Sequence, residues 1–129
     1  MEQPKYLIDT NAVIDFLGEK LPASGMIFMN DVIDAVPMVS VITKIEVLGF
    51  NTPSENYKLL QDFMNDSTLL SLSDEIVSVC IEIRKNYKTK LPDAIIAATA
   101  LVNGLTIISR NTKDFKIING LDWINPYDL

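Results

Sequence analysis

The sequence contains no histidine, and this absence excludes several kinds of catalytic site. A hydrolase built on a Ser-His-Asp or Cys-His arrangement would have no base. The common zinc sites that bind the metal through histidine would lack their ligands. Any catalysis must therefore come from carboxylates, lysine, hydroxyl groups or a metal ion held by oxygen atoms.

Cysteine, glycine, proline and long apolar runs are also scarce. The single cysteine, Cys80, cannot form an internal disulfide, and its apolar helical surroundings indicate a small core residue. No apolar run approaches the roughly 20 residues that span a bilayer. Residues 1–5 lack a basic region followed by a long apolar stretch, so we expect no signal peptide and a cytoplasmic location.

What remains is the composition of an ordinary globular domain. The chain has 129 residues, of which 48% are hydrophobic, and shows no repeat, low-complexity tract or linker. This length suffices for one hydrophobic core, so we expect a single domain covering residues 1–129.

Charge is unevenly distributed around a formal net charge of −6. Residues 1–75 carry 4 basic and 12 acidic side chains, whereas residues 76–129 carry 7 basic and 5 acidic ones. The overall acidity disfavours binding of nucleic acid through bulk charge alone. The seven basic side chains all lie between Arg84 and Lys116, where they form either solvated surfaces or a local basic rim beside an acidic centre.

Short apolar segments alternate with helical patterns along the chain. Strands are predicted at Tyr6–Ile8, Met38–Val41, Thr68–Leu72, Thr106–Ser109 and Trp123–Asn125. Helices are predicted at Ala12–Leu17, Ala23–Ala35, Ile42–Phe50, Glu55–Asn65, after the N-cap Ser73, and at Asp93–Val102. This alternation predicts a parallel sheet covered on both faces, with ligands bound at the carboxyl ends of the strands.

Four acidic residues fall near that edge of the predicted sheet. Asp9 follows the first strand, and Asp114 follows the fourth strand in a short turn. Glu46 and Asp93 lie near the starts of helices. Each has a simpler interpretation as a helix cap, a helix-dipole charge or a solvated side chain. However, Glu46 and Asp93 have strongly apolar neighbours, and buried carboxylates are costly unless they are paired or hold a cation. Oxygen ligands without histidine suit Mg²⁺ or Mn²⁺.

The segments around these acids resemble the four motifs of the PIN-domain family, in family order. They are Tyr6–Asn11, Ser40–Gly49, Leu91–Ala100 and Ser109–Phe115. The resemblance implies a three-layer α/β/α fold with a central, mainly parallel sheet of four to five strands. It also implies a divalent-metal-dependent endoribonuclease, and compact members are often toxins of the VapC type with a small antitoxin partner.

Carried over by position, the resemblance assigns roles to individual residues. Asp9, Glu46 and Asp93 are the core acids and Asp114 the fourth, all implied to be catalytic and metal-binding. Asn11, Thr43, Ser109 and Asn111 are candidates for supporting these acids, and Ser109 stands where the family often has threonine. The candidates for contacting RNA are Arg84, Lys85, Lys88, Lys90, Arg110, Lys113 and Lys116.

Two alternatives stay open at this point. A phosphohydrolase with an aspartyl nucleophile would also place an aspartate after the first strand, although it usually has a second aspartate where this chain has Asn11. The second alternative is a catalytically inactive PIN-like module that only binds protein. We further expect a homodimer, from the resemblance and from apolar surface on 23–35 and 55–65.

Overall fold

The computed structural model describes residues 5–129. Most of the N-terminal segment on which the signal-peptide expectation rests therefore lies outside the described residues. Five short strands are present: β1 (Tyr6–Ile8), β2 (Met38–Ser40), β3 (Thr68–Leu70), β4 (Thr106–Ile108) and β5 (Trp123–Ile124). The helices are α1 (Thr10–Leu17), α2 (Ala23–Asp34), α3 (Val41–Leu48), α4 (Ser54–Asp66), α5 (Asp74–Asn86), α6 (Leu91–Asn103) and α7 (Thr112–Lys116). A short 3₁₀ helix, Pro126–Asp128, forms the C-terminal turn.

All five strands join one parallel sheet in the order β3-β2-β1-β4-β5. The first strand is therefore central, with Tyr6 paired to Thr106 on one side and Leu7 to Met38 on the other. The predicted parallel sheet and three-layer fold are confirmed.

Two apolar cores lie on opposite faces of this sheet. Consecutive side chains of a strand point to opposite faces, and accordingly Leu7 joins one core and Ile8 the other. The Leu7 core is completed by α5, α6 and α7 and contains Cys80, which is 7% exposed as the core prediction requires. The Ile8 core is completed by α1 to α4. Four buried alanines allow α6 to pack closely; they are Ala94, Ala97, Ala98 and Ala100.

Local signals explain where several helices begin and end. Ser40 and Ser73 cap α3 and α5, and each hydroxyl accepts a hydrogen bond from a backbone N–H three residues later. Gly104 ends α6 with φ of 64°, a left-handed conformation that glycine adopts without steric cost.

The spacing of Ile42, Ile45 and Gly49 in the sequence predicts that these residues face inward on α3, and this prediction is wrong for Ile45 and Gly49. Ile45 is 61% exposed and Gly49 is also exposed, while Thr43 and Val47 are buried. Because Thr43 and Val47 are four residues apart, they share a helix face, and that face packs on the sheet. Asp114 lies in the first turn of α7 and not in a simple turn. No helix within residues 5–129 is long and apolar enough to cross a membrane.

Candidate active site at the carboxyl edge of the sheet

Asp9 is the centre of a hydrogen-bonded cluster at the end of β1. It is 4% exposed and occupies the N-cap position of α1. Its Oδ2 accepts hydrogen bonds from Ser109 Oγ at 2.7 Å and from Asn11 Nδ2 at 3.0 Å. Its Oδ1 accepts one from the Thr10 backbone N–H at 2.8 Å. These contacts fix the carboxylate at the edge where β1 and β4 meet.

The surroundings of Asp9 disfavour its charge. Burial raises its pKa from 3.8 to about 6, and the hydrogen bonds from Ser109 and Thr10 oppose this shift. The nearby charges of Asp93 and Glu46 raise the pKa further. A carboxylate with this environment is a natural ligand for a cation, which would offset both burial and repulsion.

Glu46 reaches the cluster from the surface of α3. The apolar neighbours of Glu46 in the sequence predict a buried position, but Glu46 is exposed, because Val47 faces the core and Glu46 does not. Its Oε1 accepts a hydrogen bond from Thr10 Oγ1 at 2.6 Å, and the same hydroxyl lies 3.3 Å from Thr43 Oγ1. Thr10 and Thr43 thus hold Glu46 beside Asp9.

Asp93 and Asp114 complete the acidic group from the other side. Asp93 is partly buried in the first turn of α6 and Asp114 is partly buried on α7. Burial raises the pKa of Asp93, as do Asp114 and Glu46, while Lys90 and a hydrogen bond with the Asn111 side chain lower it. Asp114 therefore lies near Asp93, but it does not line the cleft that contains the other three acids.

That cleft has a volume of about 420 Å³. Of the residues singled out from the sequence, it is lined by Asp9, Asn11, Glu46, Asp93, Arg110 and Asn111. Thr10, Asp15 and Lys20 also line it and were not singled out. The sequence did contain a signal for Asp15, because it lies four residues after Asn11 and hence on the same face of α1.

Ser109 and Asn111 link the last motif to the acids. Ser109 is fully buried, donates to Asp9 and accepts a hydrogen bond from the Asn111 backbone N–H at 2.9 Å. Thr43, also fully buried, connects Ser40 to Thr10. All four candidate supporting residues therefore contact an acid or a side chain that does.

The candidate basic residues are spread more widely. Only Arg110 lines the cleft, and it pairs with Asp15. Arg84 donates to the Thr89 carbonyl, and exposed Lys85 lies 3.7 Å from Glu82. Lys90 acts electrostatically on Asp93. The remaining candidates are exposed: Lys88 on the segment before α6, and Lys113 and Lys116 on α7.

The donor set fits a hard divalent cation, although the side chains do not form a closed ligand shell. Within residues 5–129, no three acidic or cysteine side chains lie close enough together to hold one metal ion. The acids that converge here offer only oxygen atoms, and one of them, Asp9, is buried with a raised pKa. Such donors suit Mg²⁺ or Mn²⁺ rather than a metal that prefers nitrogen or sulfur.

Known proteins resemble this chain in sequence and in fold. The family model "PIN domain" matches residues 6–121. A chain of a toxin-antitoxin complex from Klebsiella pneumoniae is 30% identical, with a TM-score of 0.76 over 97% of this chain and 100% of that chain. A chain of DNA-bound VapBC from Salmonella typhimurium is 20% identical, with a TM-score of 0.82 over 96% and 99% of the two chains.

A chain of VapBC2 from Rickettsia felis, bound to a promoter DNA fragment, has a TM-score of 0.79 at 20% identity, over 93% of this chain and 97% of that chain. At 20% identity these two neighbours show the shared fold alone. A comparison with curated proteins gave no match.

The all-parallel sheet and the acidic cleft at its carboxyl edge define an α/β protein with a carboxylate-based site. The family match covers most of the chain and includes all four acids, so the chain belongs to the PIN domain family. The resemblance inferred from the four motifs is confirmed.

Proposed function

We propose that the protein is a divalent-metal-dependent endoribonuclease that hydrolyses RNA phosphodiester bonds. The observation that carries this proposal is the convergence of Asp9, Glu46 and Asp93 on one cleft in a chain without histidine. Membership of the PIN domain family supports a nuclease. We include Asp114 in the catalytic group because its charge acts on Asp93.

Asp9 and Asp93 would hold Mg²⁺ or Mn²⁺ directly, with Glu46 and Asp114 completing the site. When bound, such a cation lowers the pKa of water and stabilises charge on phosphoryl oxygens. It also offsets the negative potential that would otherwise repel an RNA phosphate.

The chain's own residues prepare the site for this chemistry. Ser109 and Asn11 fix the Asp9 carboxylate, and the Thr10 hydroxyl orients Glu46 toward the same cleft. Glu46, the most exposed of the three acids lining the cleft, would bind the metal ion or hold the attacking water. Holding these groups in place before the substrate arrives lowers the cost of reaching the transition state.

We also propose that the protein is the toxin of a type II toxin-antitoxin pair. The K. pneumoniae relative comes from a toxin-antitoxin complex and matches over nearly the full length of both chains. A small antitoxin protein, a homodimeric assembly, a cytoplasmic location and a single domain over residues 1–129 belong to this proposal.

The alternatives have less support. In an aspartyl-nucleophile phosphohydrolase the residue two positions after the nucleophile supplies an acid or base. Here Asn11 is an amide, and it donates a hydrogen bond to Asp9. An inactive binding module has no need of the acids that converge on the cleft.

The test is cleavage of a long single-stranded RNA of mixed sequence with Mg²⁺ or Mn²⁺, with and without chelator. We expect cleavage that chelator stops and that Asp9→Asn abolishes, while Asp62→Asn, on the exposed surface of α4, cleaves like the wild type. Calorimetry should show Mn²⁺ binding that Asp9→Asn weakens. A protein that binds no Mn²⁺ and cleaves no RNA would be the inactive module, and cleavage that persists in chelator would contradict the metal requirement.

A further inference from the structure

Asp15 is a buried carboxylate that the proposed chemistry does not use. It lies on α1, is 3% exposed, and lines the acidic cleft. A buried carboxylate destabilises a fold unless its charge is paired. Two residues distant in sequence supply the partners: Arg110 Nη1 lies 2.8 Å from Asp15 Oδ2, and the Tyr127 hydroxyl donates to the same oxygen at 3.0 Å.

Arg110 is attached to α1 at two points. Besides the ion pair with Asp15, its backbone N–H donates to Asn11 Oδ1 at 3.1 Å. The residues on either side of it act on two of the acids: Ser109 donates to Asp9, and the Asn111 side chain lowers the pKa of Asp93. Arg110 therefore fixes the segment that supports both carboxylates.

The C-terminal turn is part of the same arrangement. Pro126 is buried, and Tyr127 is partly buried with its hydroxyl directed at Asp15. The backbone of Pro126 packs closely against Gly25 of α2. The turn is thus held in place independently of the cleft, and it offers Asp15 a fixed hydrogen-bond donor.

We propose that Asp15, Arg110 and Tyr127 form a positioning triad that holds residues 109–111 against Asp9 and Asp93. This role rests on the proposed nuclease function. It differs from the sequence prediction that Arg110 contacts RNA, because the Arg110 guanidinium, 55% exposed, pairs with the buried Asp15 carboxylate. A residue that acts by positioning should affect turnover and metal affinity, whereas a phosphate contact should affect RNA binding and its dependence on salt.

The experiment compares Asp15→Asn, Arg110→Ala, the double variant and Arg110→Lys in Mn²⁺-dependent cleavage of a long single-stranded RNA. We expect kcat to fall on the order of 10- to 100-fold in either single variant, with KM within about twofold of wild type. The double variant should be no slower than the slower single variant, because each single variant already removes the same ion pair. Arg110→Lys should recover part of kcat, and Tyr127→Phe should show a smaller loss.

Mn²⁺ affinity, measured by calorimetry, gives a readout that does not depend on the RNA chosen. We expect weaker Mn²⁺ binding in Asp15→Asn and Arg110→Ala, with an unchanged salt dependence of RNA binding. The matched control is the exposed Lys58–Asp62 pair, at 3.4 Å on α4, whose variants Lys58→Ala and Asp62→Asn should behave as wild type.

Three results would overturn one or both proposals. If Arg110→Ala raises KM and lowers the salt slope while Asp15→Asn leaves kcat unchanged, Arg110 is an RNA contact. If the variants only lower the melting temperature and keep wild-type kcat and Mn²⁺ affinity, the triad is purely structural. A wild-type protein that neither binds Mn²⁺ nor cleaves RNA refutes the nuclease function itself, and the positioning role with it.

Discussion

At the scale of single residues, Asp9 combines burial, three hydrogen bonds and two neighbouring negative charges. Burial and the neighbouring negative charges make the ionised carboxylate costly to the stability of the metal-free chain. A raised pKa measures that cost, since the folded chain then favours the protonated acid.

We predict that the metal-free protein loses stability as pH rises. The pKa of Asp9 is 3.8 in an unperturbed state and about 6 in the folded chain. Between these values the folded chain binds more protons than the unfolded chain, so the free energy of unfolding falls as pH rises, and it stays lower above about 6. The full loss from this one group is about 3 kcal/mol.

Urea denaturation in metal-free buffer at about pH 4.5 and about pH 7 measures this loss. Asp9→Asn cannot ionise at this position, so its free energy of unfolding should differ less between the two pH values. Its melting temperature at about pH 7 should equal or exceed that of the wild type. Equal pH dependence in the two proteins would show that Asp9 is not the group responsible.

The sequence predicts the positions of Asp9 and Asp93, because each sits at a recognisable boundary, after an apolar strand or beside a helix-starting proline, and both line the cleft. It also predicts Ser109 and Asn111 through the motif that contains them. It does not predict the roles of Thr10 and Asp15, because their partners Glu46, Arg110 and Tyr127 are distant in sequence. Local patterns cannot reveal such pairings.

At the scale of elements, the contact between α2 and the C-terminal turn depends on a residue without a side chain. A Cβ atom at Gly25 would overlap the carbonyl oxygen of Pro126, and this neighbour is backbone and cannot rotate away. Ser24, next to it, donates a hydrogen bond to the carbonyl of Leu129. The close approach lets the turn reach Asp15.

We predict that Gly25→Ala destabilises the protein by about 1–3 kcal/mol, because overpacking forces backbone shifts. Thermal denaturation measures the change. Asn30→Ala, an exposed position on the same helix, controls for the effect of a new alanine on helix propensity. A Gly25→Ala protein that melts like Asn30→Ala would show that α2 and the turn can separate freely.

The segment between α5 and α6 carries positive charge next to Asp93. Lys90 is the N-cap of α6, and its charge lowers the pKa of Asp93. Arg84 holds the segment by donating to Thr89. Lys85 shares its charge with Glu82, so Lys88 and Lys90 are the stronger candidates for binding phosphates.

We predict that replacing Lys85, Lys88 and Lys90 with alanine weakens RNA binding by similar factors for different sequences. The log–log salt slope should shrink by roughly 0.7 for each phosphate of a single strand that the variant no longer neutralises. Filter binding at several salt concentrations measures both effects, and Lys58→Ala, on the exposed surface of α4, serves as control. If the salt slope of RNA binding is unchanged, these lysines interact only with solvent. Mn²⁺ affinity should change little in either case, because the lysines are not metal ligands.

Most elements were predictable from apolar periodicity and caps, with boundaries shifted by one or two residues. The exceptions have physical causes. α7 has five residues, too few to show a helical period. The buried face of α3 was predicted wrongly because Ile45 is apolar yet exposed. Thr43 is polar yet fully buried, since its hydroxyl bonds to neighbouring hydroxyls.

At the scale of the whole molecule, apolar side chains remain exposed on the two helices for which a self-association surface was expected. Ile27 of α2 is 65% exposed and Leu59 of α4 is 47% exposed. A contiguous exposed apolar patch often marks an interface, whereas single exposed apolar side chains are common on protein surfaces. The homodimer therefore stays a prediction with specific positions to test.

We predict that the protein sediments as a dimer at tens of micromolar in sedimentation velocity experiments. Ile27→Glu or Leu59→Glu should shift it toward monomer, because an unpaired charge buried in the interface opposes association. Ile81→Glu on α5, where the native side chain is 53% exposed, is the matched control. A monomer in the wild type, or dissociation caused only by Ile81→Glu, would contradict the predicted surface.

The sequence predicts parallel strands but not the order in which they pair. Placing β1 between β2 and β4 has a consequence for synthesis of the chain. Asp9 is synthesised 100 positions before its partner Ser109, and Tyr127 of the C-terminal turn, which contacts Asp15, is synthesised later still. An unfinished chain consequently lacks the groups that arrange the carboxylates. If the protein attacks RNA, the chain must be synthesised through Tyr127 before that capacity can arise.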